Sequence, residues 1–482
     1  MDSVENKNVL VIGLGSSSAA VCHLLRERNA NVTVVHPALE TEVIQKLASQ
    51  GVRFAENETA LDLGTFDLAV AGRGFFKNSL LSQSLQQKGI PVISDLELAY
   101  QQSYCLNIAV SGTNGKTSTA RLIERLLHQC ERRTLVAEDN KASACEMIEK
   151  TRELDFLTLE ASAPQLENTQ YFRPSVAVLL NIGHDHVDRF PSHADYIRAK
   201  ARLFANQQPF DWAIVQSEAL AQIQSLNLPM PAKVITFSAH NRRADIFLDR
   251  TLLVSRLDGW AGPLVNMEQC RLRGPHYAEN LMAALAVGRV LRLPLEQMIK
   301  AIRQFEPLPH RCEPVAGPEG ISFINDAASK NVQSLRRAIE TFSQERRNAN
   351  IWLIAGGRHK SLEYYDLGPL LSERVKGAFL IGENREKLRA AWGLFTPCAL
   401  ADSLLEAVSQ AANNAAPGDV VLFSPACSSL EVLPSELYTG EVFRKAVTDL
   451  ARTTGCGSDN NKHNMEEIDN RDELTQLSKS SH

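Results

Sequence analysis

The chain has 482 residues, of which 44% are hydrophobic and 22% are charged, and its formal net charge is −5. At roughly 150 residues per domain this length predicts about three domains, each able to bury a core, and it excludes a small module held together by disulfides. The mild negative charge argues against nucleic acid as the main ligand.

Nine cysteines are scattered without a Cys-x-x-Cys pair, which argues against a zinc ribbon and is typical of reduced thiols in a cytosolic protein. The sequence has no apolar run near the ~20 residues of a membrane helix. Its polar N-terminus is unlike a signal peptide. We therefore expect a cytoplasmic, multidomain protein that does not bind membranes.

Residues 1–104 alternate short β-branched runs with helical stretches, with strands expected near 8–15, 31–37, 66–72 and 90–95. This rhythm predicts a parallel sheet with crossover helices, as in a Rossmann-like domain. GLGSSS at 13–18 follows the first strand, but Ser18 replaces the third glycine of a dinucleotide fingerprint and no acidic residue follows the second strand at His36. These departures argue against NAD binding, and a contact to a phosphate or nucleotide-sugar and a tight structural turn both remain open.

Residues 105–308 begin with a strand, a glycine loop and a helix, and the loop reads GTNGKT at 112–117. Backbone N–H groups of such a loop, at the positive end of a helix, suit the oxygens of a nucleoside triphosphate. Lys116 is then expected to reach the β- and γ-phosphates, and the Thr117 hydroxyl to bind Mg²⁺. Val110 stands where the generic Walker pattern has glycine, so that pattern is only partly met.

Two further segments of this domain carry possible metal ligands. Glu160 follows an apolar, strand-like run, and His184 and His186 follow another. Carboxylates and imidazoles at strand ends beside a phosphate loop are suited to a second Mg²⁺ site. Considered alone, the two histidines are equally well explained as ordinary loop residues.

Residues 309–454 restart the strand and helix alternation after EPLPHR at 306–311, where two prolines interrupt a helical pattern. The last segment, 455–482, is polar and acidic with few large apolar residues. It is predicted to be a disordered tail.

Taken together, these motifs resemble the Mur ligase family of ATP-dependent amide ligases. The resemblance rests on GTNGKT, L-E-A-S with Q-L-E, N-I-G-x-D-H-x-D-R, Y-x-x-A-K-x-R-x-F, G-x-H-x-x-x-N, P-H-R, A-G-G-x-x-K and S-P-A-C-x-S, in this order. It implies a Rossmann-like N-terminal domain, a central P-loop ATPase domain with a mostly parallel sheet and a Rossmann-like C-terminal domain that binds an amino acid. The last two motifs are most similar to the branch that adds D-glutamate to UDP-N-acetylmuramoyl-L-alanine in peptidoglycan synthesis.

The resemblance also assigns roles to individual residues. ATP is expected at Gly112, Thr113, Asn114, Gly115, Lys116, Thr117, Asn280, Arg311 and Asp326, with His276 in the segment that faces the adenine. Magnesium is expected at Thr117, Glu160, His186 and Lys200, the last as a carbamate, and Lys116, Lys200 and His186 are the expected catalytic residues. Gly15, Ser16, Arg73, Asn140, Lys360 and Ser429 are expected at the substrates, the last two at the carboxylates of glutamate. A monomer is expected.

The sequence departs from the family pattern mainly at the substrate ends. Gly72-Arg73-Gly74 replaces the usual Ser-Pro-Gly, and of the G-G-N-I-G motif only Asn140 is kept. In the C-terminal domain the lysine of D-S-K-A-T-N stands two positions later, at Lys330, while Glu436 and Thr439 replace an aromatic residue and an arginine. Along a strand a shift of two would keep the side chain on the same face.

Two other interpretations remain open. One is a Mur-type ligase with a different acceptor amino acid, such as L-glutamate, or a folate or cyanophycin-type enzyme. The other is a nucleotide-binding relative that has lost ligation. The substituted C-terminal positions favour such alternatives, whereas Lys116, Glu160, His186 and Lys200 together favour turnover.

Overall fold

The computed structural model of the protein contains three β-sheets that follow one another along the chain. It describes residues 4–13, 18–35, 41–57, 61–72, 75–77, 79–138, 143–183, 185, 189–343, 349–358, 364–427 and 436–455. The strands of the three sheets lie between residues 8 and 94, 106 and 266, and 313 and 423. The α/β fold class predicted from the sequence is confirmed. We call the three parts the N-terminal, middle and C-terminal units, and their exact boundaries at 104/105 and 308/309 stay a prediction.

The N-terminal unit has five parallel strands in the order β3-β2-β1-β4-β5. The strands are β1 (Asn8–Ile12), β2 (Asn31–Val35), β3 (Arg53–Ala55), β4 (Leu68–Ala71) and β5 (Val92–Ser94), and the helices are α1 (Ser18–Glu27), α2 (Thr41–Ser49), α3 (Leu80–Gln87) and α4 (Asp95–Gln102). The strand order reverses between β1 and β4, which is where open α/β sheets bind ligands. Gly13, at the end of β1, lies at this switch point.

The middle unit has nine strands in the order β14-β13-β12-β11-β10-β9-β6-β8-β7. They are β6 (Leu106–Ser111), β7 (Thr134–Ala137), β8 (Phe156–Glu160), β9 (Val176–Leu179), β10 (Trp212–Gln216), β11 (Lys233–Ser238), β12 (Ile246–Asp249), β13 (Leu252–Ser255) and β14 (Gly262–Asn266). Only the last two pairings, β12 with β13 and β13 with β14, are antiparallel. The sheet is therefore mostly parallel, as predicted.

The helices of the middle unit cover both faces of this sheet. Its central strands β6, β8 and β9 are therefore almost entirely buried. Burial on both faces explains why these strands appear in the sequence as continuous apolar runs without alternation. The helices are α5 (Lys116–Gln129), α6 (Ala163–Glu167), α7 (His193–Ala201), α8 (Ser217–Ser225), α9 (Pro275–Val290) and α10 (Leu295–Gln304).

The C-terminal unit has six strands in the order β15-β16-β20-β17-β18-β19, all parallel except β15 with β16. The strands are β15 (Glu313–Val315), β16 (Ser322–Asn325), β17 (Ile351–Gly356), β18 (Val375–Ile381), β19 (Cys398–Leu400) and β20 (Val420–Phe423), and the helices are α11 (Val332–Phe342), α12 (Gly368–Arg374), α13 (Arg385–Trp392), α14 (Leu404–Asn414) and α15 (Glu436–Gly455). Residues 456–482, the rest of the predicted tail, lie outside the described residues. Among the described helices, none is long and apolar enough to cross a bilayer.

Candidate functional site

The loop GTNGKT connects the carboxyl end of β6 to the first residue of α5, as a phosphate-binding loop requires. Gly115 caps the helix with φ +88°, a left-handed conformation that favours glycine. A Cβ at this position would also lie only 2.8 Å from Asn280 Oδ1 on α9. Glycine is therefore required both by the backbone and by the close approach of α9.

The side chain of Lys116 folds back over the phosphate loop. Its Nζ donates to the carbonyl oxygens of Gly112 at 2.9 Å and Thr113 at 3.3 Å. In this position the ammonium group lies at the mouth of the loop, beside the backbone N–H groups that suit an anion. The contact of Lys116 with the β- and γ-phosphates stays a prediction.

The segment that follows β9 is hydrogen-bonded to the phosphate loop. Asn114 N donates to Asn181 Oδ1 at 2.9 Å, and Asn181 Nδ2 donates to Asn114 O at 3.0 Å. Gly183 N donates to Thr113 Oγ1 at 2.9 Å. β6 and β9 are paired in the sheet, so these contacts fix the loop against its neighbouring strand end.

Lys200 lies on α7 and is 1% exposed, although a lysine is rarely so buried. Its Nζ lies 5.0 Å from the centre of the Tyr196 ring, one helical turn earlier. The Tyr196 hydroxyl is 3.1 Å from Thr113 Oγ1, and burial, with the nearby charge of Asp185, raises the pKa of this tyrosine. Lys200 is thereby packed toward the phosphate loop through a neutral phenol.

Glu160 is the last residue of β8, the strand paired with β6 on the side opposite β9. It is 5% exposed. Since parallel strands end at the same edge, its carboxylate belongs to the edge that carries the phosphate loop. Glu160 and Thr117 supply oxygen donors, which Mg²⁺ prefers together with phosphate oxygens and water. The donor chemistry present therefore fits magnesium, although among the described residues no group of three or more His, Cys, Asp or Glu could hold a metal.

Five of the predicted ATP residues line one cavity of about 80 Å³ between the middle and C-terminal units. These are Asn114, Gly115, Asn280, Arg311 and Asp326, and His276 lines the same cavity. They come from the phosphate loop, α9, the segment after α10 and the end of β16. The structure thus brings together residues that are up to 212 positions apart in the sequence.

Arg311 connects the two units at this cavity. Its Nη2 lies 3.2 Å from Thr117 Oγ1, to which it donates, and its carbonyl accepts a hydrogen bond of 2.7 Å from the Tyr277 hydroxyl on α9. The flanking residues His310 and Cys312 both have left-handed backbones, with φ of +62° and +51°. A strained turn therefore presents the guanidinium to the phosphate loop.

Asp326 closes the other wall of the cavity. Burial raises the pKa of this carboxyl to about 7, against the lowering effect of hydrogen bonds from Ser424 Oγ at 2.8 Å and Cys312 N at 3.2 Å. The group is 7% exposed. A cation or hydroxyl donor that entered the cavity would favour its ionised form.

His276, at the start of α9, is a neutral imidazole. Burial, with a smaller effect of Arg337, lowers its pKa to about 3. Thr341 Oγ1 donates to Arg337 O at 2.7 Å and lies 3.1 Å from His276 Nδ1. Because the hydroxyl has one proton, we assign the proton of this contact to Nδ1, which leaves Nε2 as an acceptor.

Seven predicted site residues lie outside the described residues: Gly15, Ser16, Arg73, Asn140, His186, Lys360 and Ser429. The expectations for them stay predictions. The side chain of Glu436 is likewise not described.

Lys330 does not lie on a strand. β16 ends at Asn325, and the segment from there to α11 is a loop, so the same-face argument for a shift of two residues does not apply. Ala328, which stands where the family pattern has its lysine, lines the cavity.

Asn181, Tyr196 and Tyr277 contact the site but were not predicted as site residues. Asn181 belongs to the N-I-G motif. Tyr196 could have been inferred from its spacing of four residues before Lys200, which places both side chains on one face of a helix. Tyr277 is recognisable only from the tertiary contact with Arg311.

Comparison with known proteins shows the family to which the chain belongs. Residues 110–288 match the family described as Mur ligase middle domain, residues 310–427 match Mur ligase, glutamate ligase domain, and residues 1–93 match a family described as putative NAD(P)-binding. The chain is 34% identical over 453 residues to the UDP-N-acetylmuramoylalanine--D-glutamate ligase of Geobacter metallireducens, covering 93% of this chain and 98% of that protein. The chain belongs to the Mur ligase family.

Other relatives of this Mur ligase agree. The D-glutamate ligase of Acidobacterium capsulatum is 33% identical over 453 residues, covering 92% of this chain and 96% of the relative. Among solved structures, a MurF ligase from Thermotoga maritima in complex with ADP has a TM-score of 0.60 at 16% identity, covering 93% and 100% of the two chains. A pseudomurein peptide ligase from Methanothermus fervidus has a TM-score of 0.58 at 14% identity, covering 92% and 100%. These structures show the same fold, and the prediction of an ATP-dependent ligase is confirmed by the family.

Proposed function

We propose that this Mur ligase joins D-glutamate to UDP-N-acetylmuramoyl-L-alanine with conversion of ATP to ADP and phosphate, in cytoplasmic synthesis of peptidoglycan precursors. The observation that carries the proposal is its similarity, over more than nine tenths of its length, to relatives that bear this name. The cavity between the middle and C-terminal units supports it, because five predicted ATP residues line it. The proposed enzyme acts as a monomer.

The reaction has two steps. A carboxylate oxygen of the alanyl group attacks the γ-phosphorus of ATP, the bond to the bridging oxygen breaks, and an acyl phosphate and ADP result. Lys116 and Arg311 stabilise the negative charge that spreads over the transferring phosphoryl oxygens. The neutral amine of glutamate then attacks the acyl carbon, loses a proton and expels inorganic phosphate.

The nucleoside of ATP is proposed to occupy the cavity beside the phosphate loop. The unprotonated Nε2 of His276 is suited to accept a hydrogen bond from the exocyclic amine of adenine. Asp326 is suited to accept from a ribose hydroxyl, which favours the ionised carboxylate. Asn280, next to Gly115, supplies both a donor and an acceptor to the base.

Thr117, Glu160, His186 and Lys200 are proposed to hold magnesium, which when bound supplies charge neutralisation to the phosphates. The place of Lys200, 1% exposed and packed on Tyr196 beside the phosphate loop, supports its proposed modification. The neutral amine can add CO₂ and release a proton, giving an anionic carbamate with oxygen donors. An unmodified ammonium would repel the metal instead.

A ligase of the same chemistry with another acceptor amino acid is the second candidate. It is favoured by Ala328, which leaves the cavity without the lysine of the family pattern, while Lys330 stands in the loop before α11. Lys360 and Ser429 are proposed to bind the carboxylates of the acceptor.

The test is identification of the product by mass spectrometry, from Mg²⁺, ATP and UDP-N-acetylmuramoyl-L-alanine with D-glutamate, L-glutamate, aspartate or lysine offered separately. We expect ADP release and a dipeptide product with D-glutamate, and a loss of about 10²-fold or more for Lys116→Ala and Lys200→Ala. A short-chain carboxylic acid should partly restore the Lys200→Ala variant, but not the Lys116→Ala variant. Product formed only with L-glutamate, aspartate or lysine would overturn the assigned acceptor.

A further inference from the structure

The side chain of Gln333, from the C-terminal unit, lies in a notch between Asn114 of the phosphate loop and Gly183 of the segment after β9. Gln333, in the first turn of α11, accepts a hydrogen bond of 3.4 Å at its Oε1 from Asn114 Nδ2. The same amide also lies against Gly183, where a Cβ would overlap Oε1 and would be 3.2 Å from Nε2. The C-terminal unit therefore contacts both walls of the phosphate site through one residue.

Asn331 strengthens the same contact. Asn114 Nδ2 donates to Asn331 Oδ1 at 3.3 Å, and Asn331 Nδ2 donates to Asn114 Oδ1 at 3.1 Å, so the two amides pair reciprocally. Asn331 Oδ1 also accepts from Ser334 N at 2.8 Å and caps α11. The start of α11 is thus fixed directly to the middle of the phosphate loop.

The notch is complementary to Gln333 in shape. Gly183 does not have a left-handed backbone, so an alanine at 183 would meet no backbone strain, and the three heavy atoms nearest its Cβ would all belong to the side chain of Gln333. Gly183 N is in turn bonded to Thr113 Oγ1 at 2.9 Å. A shift of Gln333 would therefore be transmitted to both Asn114 and Thr113, two residues of the loop.

We propose that Gln333 is a positioning residue for ATP, by which docking of the C-terminal unit sets the conformation of the phosphate loop. This inference rests on the proposed phosphate site at residues 112–117. Gln333 acts through its contacts with Asn114 and Gly183. Its side chain must be neutral, because a negative charge at this position would repel the nearby polyphosphate of ATP.

The first measurement is steady-state kinetics with ATP varied, for wild type, Gln333→Ala and Gln333→Glu. Loss of a neutral hydrogen bond predicts that Gln333→Ala raises the KM for ATP about three- to tenfold, with kcat changed by less than about twofold. Gln333→Glu keeps the acceptor for Asn114 but adds a negative charge, so its KM should exceed that of Gln333→Ala. If both variants keep the wild-type KM within about twofold, the inference is wrong.

The second measurement is rescue in a double variant. Gly183→Ala alone should lower kcat/KM for ATP by about tenfold or more, because its methyl group displaces Gln333. In Gly183→Ala/Gln333→Ala the overlap is removed, so kcat/KM should return to the level of Gln333→Ala. A double variant as impaired as Gly183→Ala would show that Gly183 matters for another reason and would overturn the proposed contact.

Glu340→Gln is the matched control, because Glu340 is two helical turns after Gln333 on α11 and is exposed. It should leave the KM for ATP unchanged, and melting temperatures of all variants should show that they fold. Lys116→Ala separates this inference from the proposed function. If Lys116→Ala retains turnover, the phosphate site itself is wrong, whereas an inactive Lys116→Ala with unaffected Gln333 variants refutes the role of Gln333 alone.

Discussion

At the scale of single residues, Asp326 and His276, two titratable groups at the nucleotide cavity, have charge states set by burial. Asp326 has a raised pKa and His276 a lowered one, so burial favours the neutral form of each. A neutral imidazole keeps one nitrogen as an acceptor. The carboxyl of Asp326, in contrast, changes its charge near neutral pH, so that ligand binding can change its protonation state.

Asp326 predicts a pH dependence of stability in the absence of ATP. Its pKa is about 7 in the folded protein and about 4 when unfolded. The folded state therefore holds a proton between these values that the unfolded state releases, so stability falls as pH rises from about 4 to 7. The full loss is about 4 kcal/mol, as an upper estimate.

Urea unfolding at pH 4.5, 6 and 7.5 measures this slope. Asp326→Asn should flatten the dependence, because the amide does not titrate, and should be relatively more stable than wild type at pH 7.5. Asp402→Asn, at a highly exposed side chain paired with Arg385, is the control and should keep the wild-type slope. A wild-type slope in Asp326→Asn would contradict the assignment.

At the scale of elements, α15 supports the turn that carries Arg311. A Cβ at Gly440 would overlap the imidazole of His310, which is 3% exposed. Asn325 Nδ2 donates to His310 Nδ1 at 3.0 Å, and Glu441 Oε1 lies 3.4 Å from Nε2. α15 therefore packs directly against His310, the residue that precedes Arg311.

Thermal and urea unfolding of the Gly440→Ala variant test this packing of α15 against His310. In an unhindered helix alanine would stabilise by about 1 kcal/mol relative to glycine, but overlap with a buried, hydrogen-bonded histidine predicts a net loss of about 1–3 kcal/mol. Lys445→Ala, at an exposed position of the same helix, should change stability by less than about 0.5 kcal/mol. A higher melting temperature for Gly440→Ala would contradict this packing.

At the scale of the whole molecule, the middle and C-terminal units meet at the nucleotide cavity. The bonds between them include Arg311 to Thr117, Tyr277 to the Arg311 carbonyl, and the amide pair of Asn114 and Asn331. A ligand in this cavity would touch both units and so stabilise their association. Binding of ATP is therefore expected to be coupled to the stability of the pair.

A non-hydrolysable ATP analogue with Mg²⁺ should raise the melting temperature of the wild type, by an amount that corresponds to about 2.7 kcal/mol at 100 times Kd. Arg311→Ala removes a cation that faces the phosphates and should reduce this rise markedly at the same concentration. Arg452→Ala, at an exposed arginine near the end of α15, should show the full rise. An unchanged rise in Arg311→Ala would mean that Arg311 does not contact the nucleotide.

The sequence by itself determined the α/β class, the placement of the phosphate loop between a strand and a helix, and the family. These follow from local patterns: buried parallel strands are continuous apolar runs, and a phosphate loop needs glycines at fixed offsets. Roles for residues such as Lys116, Glu160 and Lys200 could be predicted because their motifs are contiguous, and these roles stay predictions.

Only the tertiary structure decided which distant residues meet. The contacts of Gln333 with Asn114 and Gly183, of Tyr277 with Arg311 and of Gly440 with His310 join positions separated by 34 to 219 residues. The first two depend on how the middle and C-terminal units dock, and the third on how α15 packs within the C-terminal unit, and no local periodicity encodes either. The raised pKa of Asp326 and the lowered pKa of His276 likewise depend on tertiary packing, because burial disfavours the charged forms.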